Sequence, residues 1–106
     1  KNIQIVRGNF DDTLPKVLSN QIPLDFIFFD GNHRYEPTMR YFNDCLKNIS
    51  PNCTFVFHDI YWSSEMAKAW KEICVHPSVM LSVDLYYFGI VFFRTNQPKQ
   101  HFILTF

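Results

Sequence analysis

Four side chains carry both the types and the placing for chemistry: Asp30, His33, His58 and Asp59. Two carboxylates and two imidazoles can ligate a hard or borderline divalent cation and still leave one imidazole as a general base. They belong to a series of polar and aromatic clusters: Gly8-Asn9-Phe10-Asp11, then Asp30-Gly31-Asn32-His33-Arg34-Tyr35, then His58-Asp59-Ile60-Tyr61-Trp62. Tyr35, Tyr61 and Trp62 can wall a flat organic substrate, although aromatics just ahead of a helix serve equally as packing anchors. In the same way, an Asp or Asn just past a strand also caps a helix or closes a turn. His76 and His101 lie outside the clusters and read as surface or helix-end histidines, and Arg34 and Arg40 read as solvated cations.

Each cluster follows an apolar run. Ile3-Gln4-Ile5-Val6 precedes the first, and Thr13 to Leu18 then reads as a brief helix with Pro15 in its first turn. Leu24 to Phe29 precedes the second and is apolar almost throughout, the pattern of a strand covered on both faces. Pro37 then opens a helix with Met39, Phe42, Leu46 and Ile49 on one stripe, ended by Ser50-Pro51-Asn52. Thr54 to Phe57 precedes the third cluster, and a helix from about Ser63 carries Met66, Ala67, Trp70, Ile73 and Cys74. Val79 to Asp84 and Gly89 to Phe93 read as an antiparallel hairpin, and His101 to Phe106 as a last strand. The expectation is one α/β domain over residues 1–106: three strand–helix units, then a hairpin and a final strand. In open sheets of this class ligands bind beyond the carboxyl ends of the strands, where all three clusters fall.

Composition narrows the classes. The 106 residues carry ten Lys and Arg against ten Asp and Glu, and with no basic tract this excludes a strong electrostatic claim on nucleic acid or anionic membrane. A content of 47% hydrophobic residues, with 12 Phe, excludes a disordered chain. No apolar run approaches the roughly 18 residues that span a bilayer. Three cysteines without C-x-x-C spacing fit small buried hydrophobes in a reducing cytoplasm, and the opening Lys1-Asn2-Ile3-Gln4 is not a signal peptide.

The strand-end clusters resemble those of class I S-adenosylmethionine-dependent methyltransferases, in the branch of small-molecule O-methyltransferases. The resemblance is carried by Ile5 to Asp11, by Leu24 to Glu36 and by Phe55 to Ile60, with the late hairpin behind them. Its most specific part is the Asp-Gly-x-His-x-Tyr of Asp30 to Tyr35. It implies a partial Rossmann-like methyltransferase sheet with S-adenosylmethionine as cofactor, Asn9 and Phe10 against its adenine, and Asp30 near the methyl donor. It further implies Asp30 and Asp59 as ligands of a cation such as magnesium, and His33 as the base for a substrate hydroxyl. The chain departs from the metal-binding patterns of the branch at Ile60 and His58. With glycine only at positions 8, 31 and 89, it has no counterpart of the family's glycine-rich cofactor loop. The resemblance is therefore to the C-terminal part of the fold, and it implies that this chain alone is inactive.

In the family's sheet the strand matching Ile3 to Arg7 is a far edge strand, separated from the strand matching Leu24 to Phe29 by strands absent here. Ile3 to Arg7 is thus expected either to move beside Leu24 to Phe29 or to pair with another copy, giving a homo-oligomer through an exposed sheet edge. Other classes stay open. Gly31-Asn32-His33 is also the core of calcineurin-like phosphoesterases, metal-dependent enzymes whose further motifs are missing here. A non-catalytic assembly module would use the sheet edge and the aromatic loops.

Overall fold

The computed structural model describes residues 3–7, 24–30, 34–47, 49–95 and 97–104, with backbone alone at 3–7, 24, 25, 30 and 51. Its strands are β1 (Ile3–Arg7), β2 (Leu24–Asp30), β3 (Ile49–His58), β4 (Leu81–Asp84), β5 (Phe88–Phe92) and β6 (Gln100–Ile103). Two helices interrupt them, α1 (Tyr35–Leu46) between β2 and β3 and α2 (Ser64–Val75) between β3 and β4. The helix expected at Thr13 to Leu18 lies outside the described residues.

All six strands form one sheet in the order β1-β2-β3-β5-β4-β6. β1, β2 and β3 run parallel, with Val6 level with Phe29 and Phe29 level with Phe57. β1 therefore sits directly beside β2, the first of the two arrangements expected for it. β5 is antiparallel to β3 on one side and to β4 on the other, and β6 lies parallel to β4 at the far edge. β4 consequently points the same way as the three parallel strands, and Asp84 reaches the same end of the sheet as His58.

Two boundaries differ from expectation. α1 begins at Tyr35 rather than Pro37, because a proline in the first turn removes only an N–H that has no partner within the helix. Ser50-Pro51-Asn52 does not end that helix but lies within β3. The β2–β3 ladder steps from Leu24 opposite Ile49 to Phe26 opposite Thr54, so that Ser50 to Cys53 on β3 stand against Asp25 alone on β2. A proline without an N–H is accommodated where the ladder is already broken. Ile49, expected on the helical stripe, is thus the first residue of β3 and packs at the margin of the core.

Both helices cover one face of the sheet. Ile27, Phe29, Phe55, Phe57 and Val91 point to that face and are buried against Tyr41, Phe42 and Cys45 of α1 and Met66, Trp70 and Ile73 of α2. Phe29 stacks on Phe57 at 4.5 Å, and Phe42 meets the edge of Phe55 at 6.0 Å. Gly89 on β5 is needed because a Cβ there would lie 2.4 Å from the Trp70 ring. On the opposite face Phe26, Phe28, Thr54, Val56 and Ile90 are only half-buried, and among the described residues no helix packs there. The cover expected on the second face of β2 lies outside the described residues, because residues 8–23 between β1 and β2 are not among them.

Candidate functional site

The parallel register brings the strand ends together. Arg7 ends β1 level with Asp30, and His58 follows Phe57 one step beyond the Phe29–Phe57 pair, so the last residues of three strands form a row along one edge. This places the backbones of Asp30 and His58 side by side. The side chain of Asp30 is outside the description, as are Asn9, Phe10 and His33.

The third cluster is built by the exit from β3. Asp59 takes a left-handed conformation with φ 57°, its N–H donates to the Tyr87 carbonyl at 2.7 Å, and its carbonyl accepts from the Trp62 N–H at 3.0 Å. Asp tolerates this region better than most residues. The corner it makes turns the chain from the sheet toward α2, whose N-cap Ser63 accepts from the Met66 N–H at 3.1 Å. Asp59 Oδ2 lies 3.1 Å from His58 Nδ1. The His58 ring sits on the half-buried face between Phe28, at 6.2 Å between centroids, and Phe88, at 5.2 Å. His58 and Asp59 thus lie within ion-pair distance of each other, without hydrogen-bond geometry between Nδ1 and Oδ2.

The aromatic residues of the clusters have separate fates. Trp62 is exposed at the strand-end edge. Tyr35 is held by α2: its N–H donates to Glu65 at 3.3 Å, its hydroxyl donates to Glu72 at 2.7 Å, and Lys68 Nζ lies 4.4 Å above its ring. The hydrogen bond to Glu72, followed by slight desolvation and the glutamate charge, raises its phenol above the ordinary value. Tyr35 therefore locks the two helices together. Tyr61 donates its hydroxyl to Asp84 Oδ2, and desolvation, then that hydrogen bond and the carboxylate's charge, push its phenol up to about 12.

Asp84 was not singled out by its sequence context, yet it organises this corner. It is 3% exposed and accepts from Tyr61, from Trp70 Nε1 at 3.4 Å and from the Tyr86 N–H at 2.9 Å. The Tyr86 ring lies 5.5 Å from that of Tyr61 and 4.8 Å from that of Tyr87. The alternation of β4 runs opposite to simple hydrophobic patterning, since Ser82 and Asp84 are buried while Leu81 and Val83 are half-buried. The signal in the sequence was a carboxylate closing an apolar strand, with Tyr and Trp available to satisfy it.

Among the described residues no group of three or more His, Cys, Asp or Glu side chains could hold a metal ion. Of the expected ligands, His58 and Asp59 are adjacent to each other. Gly89 is filled by Trp70 and is a packing glycine, not a cradle for a cofactor.

A family model described as a methyltransferase domain matches residues 1–60. The chain belongs to this family. The match ends at Ile60, just beyond the His58–Asp59 pair, so it takes in the ends of all three parallel strands of the methyltransferase domain and excludes α2 and β4 to β6. No curated protein and no solved structure matches significantly. No described helix is long and apolar enough to cross a membrane.

Proposed function

We propose that the chain is the C-terminal part of an S-adenosylmethionine-dependent methyltransferase that transfers a methyl group to a small-molecule hydroxyl. The observation that carries this reading is the level alignment of the ends of β1, β2 and β3 within the segment matched to the methyltransferase domain. Carboxylates and aromatic faces at that edge suit a sulfonium cation and an adenine ring, so the donor set fits the cofactor. Asn9 and Phe10 would hold the adenine, and Asp30 would lie near the sulfonium. S-adenosylmethionine supplies an electrophilic methyl group. His33 takes the proton of the acceptor hydroxyl as its oxygen becomes a nucleophile. Tyr61 and Trp62 border the acceptor, while Tyr35 braces the helices behind them. Asp30, Asp59 and His58 would hold magnesium if the acceptor needs an ion to orient its oxygens.

Calorimetric titration with S-adenosylhomocysteine, with and without magnesium, tests this reading. Saturable binding that weakens at least about tenfold in Asp30→Ala is expected. A folded chain that takes up no S-adenosylhomocysteine, or binding indifferent to Asp30→Ala, would overturn it. If the metal set is right, magnesium strengthens binding in the parent chain and has no effect in Asp59→Ala.

A second reading, assembly through a sheet edge, is favoured by β6. Phe102 and Ile103 of this outer strand are exposed, with Leu104 just past it, and an edge strand free of acidic and lysine side chains is a template for pairing. Sedimentation of the chain would then show a dimer, and Phe102→Lys would return a monomer.

A further inference from the structure

Beside the strand-end edge, α2 and the outer strands β4 and β6 enclose a groove of about 610 Å³. Ala67, Trp70 and Cys74 line it from the helix, and His101 and Ile103 from β6, with Asp84 at the end nearest Tyr61. Burial pushes the Cys74 thiol up to about 11, leaving it a neutral, apolar part of the wall. A mostly apolar cavity of this size with a few convergent polar groups is the usual form of a small-molecule site, and Asp84 is the carboxylate among its lining residues.

The carboxylate decides what kind of molecule. Asp84 is almost fully buried, and its described partners are a phenol, an indole N–H and a backbone N–H, all neutral. A carboxylate offers about four acceptor positions, and burying one without a cation is costly even when neutral donors reach it. Oδ2 receives two of the three bonds and Oδ1 only one. The cations of the groove are placed elsewhere. Lys99 Nζ donates to the carbonyls of His76 and Val79. Gln100 pairs with Leu81 and Ile103 with Asp84, so this end of the groove is roughly 10 Å from the carboxylate along the strand. Lys71 lines the rim without an ion pair to Asp84. The exposed ring of Tyr61, backed by Tyr86, adds an aromatic surface of the kind that attracts organic cations.

We propose that this groove binds a small organic cation, a protonated amine on an apolar or aromatic body, with Asp84 as its counter-ion. The site lies on the helix-covered side of the sheet and does not depend on methyl transfer.

Trp62 and Trp70 are the two tryptophans of the chain, so in a Trp62→Phe background the fluorescence of Trp70, bonded to Asp84, reports on the groove. The probes are phenethylamine and its uncharged counterpart 2-phenylethanol. Saturable phenethylamine binding at least about tenfold tighter than that of 2-phenylethanol is expected, falling by a similar factor in Asp84→Asn. Ala67→Phe fills the groove from the helix without touching Asp84 and should abolish binding while circular dichroism stays unchanged, which keeps the test decisive if Asp84→Asn does not fold. Lys71→Met should bind phenethylamine at least as tightly as the parent. Equal affinity for the two probes, no saturable signal from the folded chain, or binding retained in Ala67→Phe would overturn the proposal.

Discussion

The two faces of β3 are made from one strand, and they behave differently. Cys53, Phe55 and Phe57 point to the helices and are at most 1% exposed. Thr54, Val56 and His58 point the other way and are half-buried. The strand's own alternation already separates the faces, Phe55 and Phe57 on one and Thr54 and His58 on the other, and the helices complete the difference. α1 and α2 bring Phe42 and Trp70 onto one side, and that side becomes a close-packed interior in which every methylene has partners. The other side keeps side chains that are only partly removed from water, and His58 stands there beside the corner at Asp59.

The largest effect that sharpens this contrast is Phe55→Ala. Phe55 is fully buried and touches the rings of Phe29, Phe42 and Phe93, so its loss should cost about 3–5 kcal/mol in chemical denaturation. A cost below 1 kcal/mol would mean that the covered face is not a packed core. Next comes Gly89→Ala on β5. The added methyl meets the Trp70 ring, which is itself held by Asp84, and overpacking of this kind costs about 1–3 kcal/mol. On the half-buried face Val56→Thr should cost about 1 kcal/mol or less, because its side chain is only partly removed from water. Equal costs for Val56→Thr and Phe55→Ala would erase the distinction between the faces.

Much of the covered face was legible in the sequence. The apolar runs of β2 and β3 and the stripe of Met66, Trp70 and Ile73 are local patterns, and Ser63 is a helix cap whose partner is three residues away. What escaped depends on residues far apart in the chain. The Ile49 and Pro51 region reads as a helix end because the irregular β2–β3 register cannot be seen without the partner strand. The brace between Tyr35 and Glu72 is not legible because Glu72 lies a full strand and helix later. Asp84 reads as a strand end because its donors come from Tyr61 and Trp70, brought to it by the fold. In the same way the three strand-end clusters were legible as clusters, whereas the register that sets Arg7, Asp30 and His58 in one row came only with the sheet.

The smallest effect concerns the fringe of the covered face, where His76 follows α2 and meets the edge of the Phe42 ring at 5.3 Å. Burial, and then the positive charge of Lys99, hold its imidazole below the ordinary value of 6.5. Its Nδ1 accepts from the Ser78 N–H at 3.0 Å, a bond that the neutral ring can make and a protonated Nδ1 cannot. Between the lowered folded value and the ordinary unfolded one, the unfolded chain binds a proton that the folded chain does not. Stability therefore falls as pH drops through about 6.5, and the loss stops growing once the folded value is passed. The melting temperature measured from pH 7.5 to pH 5 should decline, and His76→Gln should make that decline shallower while leaving stability above pH 7 within about 1 kcal/mol of the parent. A steeper decline in His76→Gln would mean that the imidazole gains a partner for its charge in the folded chain, and that the covered face ends before it reaches His76.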